Sequence, residues 1–297
     1  MTRSLEESII QTTMLIEAFH GNATGRGTGR GTGFQLGVMM ADQYIIPLLI
    51  TNKHVVRGAE SIKIHFSLSD PSDYEKKIGV ASCHITSEWE KLWIPHPDAS
   101  VDLCALSLGG VFLQLQKQGR TAYGMSFAET DIIDSASLAN LTPIEDVLMV
   151  GYPIGLRDEI HNQPVVRRGI TATDPRLDFR GKKEFLIDCA CWPGSSGSPV
   201  LLKTQGLKTQ GSSISIGASR TFLVGALYSG PTHTSSGTVE FNPIPTSTSA
   251  TVTTHQMIHL GNVINSTRIR ELIEAAKTPP KGNLNCQLLF EFKEYKK

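Results

Sequence analysis

Short apolar or alternating runs, each closed by Gly, Pro, Asn or Ser, recur along the whole chain, and long 3.6-residue periodicity is scarce. Runs of strand length bounded by turn residues predict β-structure. In the first part these runs are Ile9–Ala18, Gly33–Met39, Tyr44–Thr51, Ser61–His65, Gly79–Ile85 and Leu103–Leu108. After a polar connection come Asp146–Tyr152, Val165–Thr173, Glu184–Cys189, Val200–Leu202, Phe222–Tyr228 and Met257–Ile264. The clearest helical pattern is Thr267–Ala276, with Ile269, Leu272 and Ile273 on one face, Glu271 and Glu274 on the other, and Ser266 as the expected N-cap. Pro279-Pro280 stops it.

Two sets of six strands predict an all-β protein of two sequential six-stranded antiparallel β-barrels and a C-terminal helix. The expected boundaries are about 8–115 for the first barrel, 116–143 for the connection and 144–265 for the second. The helix then covers 267–276 and a tail 281–297. Two stretches read as insertions: Lys203–Ser219, where KTQG occurs twice, and Pro231–Thr254, a Ser/Thr/Pro-rich stretch expected to be a loop. The Gly25–Gly33 tract, GRGTGRGTG, is out of register with a dinucleotide fingerprint and is followed by strand rather than helix signal. It reads as a hairpin connection, not a phosphate loop.

Charge then narrows the function. Lys plus Arg equals Asp plus Glu at 28 each, so no basic excess points to a nucleic-acid partner. The N-terminus mixes Glu6, Glu7 and Glu17 with its apolar residues, and no long apolar run occurs, so neither a signal peptide nor a membrane partner is expected. Five cysteines with no export pattern point to reduced thiols in the cytoplasm. The cysteines and histidines form no spaced four-ligand set, so no metal or other cofactor is expected.

The candidate chemistry lies in Cys191-Trp192-Pro193-Gly194-Ser195-Ser196-Gly197-Ser198-Pro199. Taken alone, this is an ordinary turn composition. A serine there becomes a nucleophile only with a base, usually an imidazole oriented by a carboxylate. His54, in Thr51-Asn52-Lys53-His54-Val55-Val56, sits where an apolar strand turns polar. Asp102, in Val101-Asp102-Leu103-Cys104-Ala105-Leu106, is an acid at the mouth of an apolar strand, where an unpaired carboxylate is costly. Asp98, in a Pro-bounded loop, reads instead as a turn cap.

These segments, in order, resemble the trypsin-like serine proteases, in particular the high-temperature-requirement (Deg) type. Gly31-Thr32-Gly33-Phe34, the His54 segment, the Asp102 segment, Val150-Gly151-Tyr152-Pro153-Ile154-Gly155-Leu156 with Arg168-Gly169-Ile170, and Asp188–Pro199 are each similar to a family motif. The resemblance implies a triad of His54, Asp102 and Ser196. It also implies an oxyanion hole from the N–H groups of Gly194 and Ser196, and hydrolysis of a polypeptide substrate through an acyl-enzyme. Ala190, Ala226, Leu227 and Tyr228 fall at the primary substrate pocket. Ala190 brings no acid there, so small or aliphatic side chains are expected next to the cut. The alternative is a catalytically silent trypsin-like binding module or scaffold.

Two departures from the Deg type are expected: no PDZ domain, with only seventeen residues after Pro280, and no export signal; the activating Ile-Val-Gly-Gly N-terminus of digestive relatives also has no counterpart. Regulation is therefore expected from elsewhere: the N-terminal segment, the Gly-rich tract and the Ser/Thr-rich loop would hold the oxyanion loop inactive until an activating protein partner or a ligand arrives.

Overall fold

The computed structural model describes residues 9–22, 25–40, 44–86, 89–124, 126–204, 207–210, 213–216, 220–239, 250–278 and 287–295. The first half carries β1 (Thr13–Asn22), β2 (Gly25–Met39), β3 (Ile45–Thr51), β4 (Ser61–Asp70), β5 (Asp73–Ile85), β6 (Trp93–Pro95), β7 (Cys104–Ser107), β8 (Thr121–Tyr123) and β9 (Phe127–Ala128). The second carries β10 (Asp146–Gly151), β11 (Val165–Thr171), β12 (Glu184–Asp188), β13 (Pro199–Thr204), β14 (Leu207–Gln210), β15 (Ser213–Ile216) and β16 (Arg220–Ser229). It ends with β17 (Thr232–Val239), β18 (Ala250–Met257), β19 (Leu260–Asn265) and β20 (Leu288–Glu294).

The second half closes as a six-stranded barrel, β10-β11-β12-β19-β16-β13. Strict alternation makes this work. In β10, Val147 and Met149 enter the barrel core with Phe185, Ile187, Val200, Leu202, Val224 and Val263. Val150 and, less completely, Leu148 turn outward to a second core, where they meet Phe34, Leu36, Leu48 and Ile50 of the first half. One strand thus serves two cores, and its outer face glues the halves together. The helix Ser266–Ala276 buries Ile269, Leu272 and Ile273 in that same junction. At about 1.5–3 kcal/mol per fully buried side chain, this face holds the helix far more strongly than propensity does. Its N-cap is Asn265, not Ser266: Asn265 Oδ1 accepts the Thr267 N–H at 3.1 Å, while Ser266 is already buried as the first helical residue.

The first half is not the expected closed barrel. Its sheet runs β20-β5-β4-β1-β2-β3-β7-β6, with β8 on β4 and β9 parallel to β2. The β5 edge at Gly79–Ile85, which would close a barrel, is taken by the C-terminal strand β20 in antiparallel register. The tail expected after 281 therefore contains a strand, and residues 279–286 before it lie outside the described residues.

Other expectations change as well. The chain from Ile9 opens with a helical turn before β1 starts at Thr13. The glycine-rich tract is strand, paired with β1 along its whole length. The stretch from Gly109 to Lys117 is a helix, and the connection after it holds β8, β9 and a short helix Ser135–Ala139. The run Met257–Ile264 is two strands, broken at Ile258–His259, where His259 has φ +63. The Ser/Thr-rich stretch is a β17–β18 ribbon rather than a loop, with 240–249 outside the described residues. The Lys203–Ser219 insertion carries the small β14–β15 hairpin, with 205–206, 211–212 and 217–219 outside the described residues. Among the described residues, no helix is long and apolar enough to cross a membrane.

Candidate active site

Strand β3 ends at Thr51, and the chain enters a single helical turn, Lys53–Val56. Val55 and Val56 point into the core and so hold the turn down. His54, between them and the strand, is left with its side chain 43% exposed. The loop before β7 brings Asp102 alongside. Asn52, fully buried, donates from Nδ2 to the Asp102 carbonyl at 2.7 Å and fixes the backbone there. Asp102 Oδ1 accepts the His54 backbone N–H at 3.0 Å, and Oδ2 contacts His54 Nδ1. A carboxylate held at both its oxygens by one residue leaves the ring little rotational freedom. A proton on Nδ1 toward Asp102 leaves Nε2 as the acceptor. Asp98 caps its own turn through the N–H and hydroxyl of Ser100, at 2.9 and 2.7 Å.

The serine-rich loop comes from the second half. Ser195 and Ser198 are fully buried, whereas Ser196 is partly open to solvent, so one hydroxyl of the three faces outward. Gly194 and Gly197 have φ of +86 and +85, angles that favour glycine. At Gly197 the room is missing as well: a Cβ would lie 1.9 Å from the Thr32 carbonyl oxygen. The Pro193 carbonyl accepts the Ile154 N–H at 2.6 Å. Because a trans peptide sets C=O and the following N–H on opposite sides, the Gly194 N–H points away from Ile154. The N–H groups of Gly194 and Ser196 donate to no acceptor among the described residues. The Ser196 hydroxyl donates to the Tyr228 carbonyl at 3.3 Å, not to His54.

A family model described as a trypsin-like peptidase domain matches residues 31–207, more than half of the 297-residue chain. The chain belongs to the trypsin-like peptidases. The matched span includes His54, Asp102 and Ser196. Among solved structures, the chain is similar to the Rv3671c protease of M. tuberculosis in its active form, at 15% identity and TM-score 0.41, covering 93% of this chain and 86% of that one. An inactive form gives 14% and 0.41, covering 92% of each chain. A serine-to-alanine mutant in an inactive form gives 14% and 0.42, covering 94% of this chain and 92% of that one. No curated protein matches the chain.

In this trypsin-like peptidase the residues expected at the primary pocket divide. Ala190 is exposed and Tyr228 partly so, but Ala226 and Leu227 are sealed in the cores behind the loop, so their side chains present no surface. Tyr228 Oη donates to Glu184 at 2.8 Å, and burial, with that carboxylate beside it, pushes the phenol up to about 12. Cys189 and Cys191 are core residues, and burial raises both thiols, Cys191 to about 12. Among the described residues no His, Cys, Asp and Glu cluster could hold a metal.

Sequence reasoning missed how the site is fastened. Thr32 donates its N–H to the Ser196 carbonyl at 2.8 Å and its hydroxyl to the Gly194 carbonyl at 3.0 Å. The same hydroxyl oxygen accepts the Tyr152 N–H at 3.0 Å, and the Thr32 carbonyl accepts the Thr51 hydroxyl at 2.6 Å. A threonine between two glycines, directly before the Phe34–Met39 stretch of β2, was the available signal: the glycines give access for other backbone, and the buried hydroxyl needs a partner.

Proposed function

We propose that the chain is a serine endopeptidase that hydrolyses polypeptides through Ser196, His54 and Asp102. Ser196 attacks the peptide carbonyl as His54 Nε2 takes its proton. The tetrahedral oxyanion forms against the N–H groups of Gly194 and Ser196, and the amine leaves with the proton held by His54. A water then frees the acyl-enzyme by the same route. Asp102 holds the imidazole in its tautomer and stabilises the imidazolium. The observation that carries this reading is the double attachment of Asp102 to His54, through backbone N–H and ring. Asp158 holds His161 in the same way, so the His54–Asp102 pair counts because it falls with Ser196 inside the span matched by the trypsin-like peptidase family. Beside the cut, an uncharged Ala190 favours small or aliphatic side chains.

The test is covalent labelling by a fluorophosphonate probe, with Ser196→Ala as the control. Labelling of the parent at Ser196 and none in the variant is the expected outcome; a parent that stays unlabelled refutes the reading. The second reading, a catalytically silent module, draws on one observation: the Ser196 hydroxyl donates to Tyr228 rather than to His54. Under it, the parent neither labels nor cleaves casein.

A further inference from the structure

Arg167 projects from β11 beside Met149 of β10, whose side chain is in the barrel core. Its guanidinium reaches the back of the serine-rich loop. Nη1 donates to the Ala190 carbonyl at 2.8 Å and to Ser195 Oγ at 2.8 Å. These acceptors lie on the two limbs of the turn that runs through Trp192 and Gly194. Nε and Nη2 are buried and donate to nothing among the described residues. Desolvation lowers the guanidinium's affinity for its proton, yet arginine stays charged in proteins. Arg167 is partly buried as a residue, but its Nε and Nη2 are shut off from water and unpaired, and such a cation needs a compensating role.

We propose that Arg167 is the positioning residue of the oxyanion hole, a buried cationic brace that holds the two limbs of the nucleophile loop together and so keeps the Gly194 N–H aimed at the reacting carbonyl. The loop needs such a brace because of its own chemistry. Gly194 can adopt several backbone states at little cost, so the Pro193–Gly194 peptide can turn over and withdraw its N–H. Ser195 carries no charge to anchor the loop by itself; its hydroxyl oxygen takes the Arg167 donor and, at 3.4 Å, the Trp192 N–H. Charge-assisted bonds to both limbs restrict that turning. A lysine could supply the charge, but its side chain ends one bond short of the position of Nη1, which makes both contacts.

The proposal rests on the serine-peptidase reading, and the test separates the two. The parent is first labelled with the fluorophosphonate probe, and then kcat and KM are measured for the parent, Arg167→Ala and Arg167→Lys. Losing the aim of one oxyanion donor lowers kcat by about 10²–10³-fold. KM should change by much less than kcat, because the oxyanion donors act chiefly in the transition state. Millimolar methylguanidinium should restore kcat in Arg167→Ala by on the order of tenfold and leave the parent and Arg167→Lys unchanged. Small-molecule rescue is a readout that a merely structural defect would not give. A labelled parent with Arg167→Ala kcat within about threefold of it overturns the brace alone, as does a loss that methylguanidinium fails to restore. A parent that does not label overturns both.

Discussion

Replacing Thr32 with Val tests whether one hydroxyl couples the first sheet to the Gly194–Ser196 loop. The side chain keeps its shape but loses an oxygen that donates to the Gly194 carbonyl and accepts the Tyr152 N–H, each at 3.0 Å. Tyr152 is fully buried, so its N–H is left without water or partner. Stranding such a donor costs about 1–3 kcal/mol, and the part-buried bond to Gly194 adds about 0.5–1.5 kcal/mol. The expected loss is therefore about 1.5–4.5 kcal/mol, a large share of the roughly 5–15 kcal/mol that separates folded from unfolded domains. Urea unfolding followed by tryptophan fluorescence reads the change. Thr32→Ser, which keeps the oxygen, is the control and should stay within about 1 kcal/mol of the parent. Catalysis should follow in the same order, because the freed Gly194 carbonyl lets the adjoining peptide drift: kcat falls by up to about 10²-fold in Thr32→Val. If Thr32→Val unfolds within about 0.5 kcal/mol of the parent, the hydroxyl is not a structural link and the coupling is wrong.

Asp102→Asn should lower kcat by about 10⁴-fold with little effect on the urea midpoint, since the amide can still touch His54 but favours the wrong tautomer; a kinetic assay on a peptide ester checks it. Gly197→Ala combines a left-handed φ of +85 with a Cβ 1.9 Å from the Thr32 carbonyl, so it should lose about 2–6 kcal/mol, and a soluble variant with the parent's midpoint would disprove the close approach. Acid should destabilise the fold in two steps. Burial holds His65 below its ordinary 6.5, so the unfolded chain takes that proton first and stability falls as pH drops below 6.5. The hydrogen bond from His65 holds Glu17 at about 2 against an ordinary 4.5, so a second loss runs from 4.5 down to about 2. Melting temperature against pH should show the second limb flattened in Glu17→Gln.

What the sequence showed and hid follows from the range of the forces involved. The barrel strands were legible because each faces a core on alternate residues, as Val147 and Met149 do. The segments around His54, Asp102 and Ser196 were legible as family motifs because each is a short local pattern, and all three fall in the span that matches the peptidase family. Strand β20 was not, although Leu288-Leu289-Phe290-Glu291-Phe292 has strand composition: its partner Gly79–Ile85 is remote in sequence, and nothing local marks the pairing. The β17–β18 ribbon has no aliphatic alternation to read, because among the described residues its strands pair only with each other. In β2 the glycines of Gly25–Gly31 oppose strand formation, yet pairing with β1 overrides that local preference.

The position of Ser196 is set by three segments that meet only in the folded chain. Thr32 of the first sheet holds the Ser196 and Gly194 carbonyls. The turn after β10 holds the Pro193 carbonyl through Ile154, which accepts a left-handed φ of +49 to do so. Leu227 of β16 exchanges backbone hydrogen bonds with Gly197 and Ser198 at 2.8 and 2.9 Å. His54 and Asp102 both lie in the first half, whereas the Ser196 loop takes its Thr32 contacts from across the junction. Packing at the junction, where Val150, Leu201 and Ala226 meet Phe34, Leu36 and Ile50, is therefore expected to govern the placement of Ser196 on which the proposed catalysis depends. A cavity made there should loosen the Ser196 loop while leaving the His54–Asp102 pair in place.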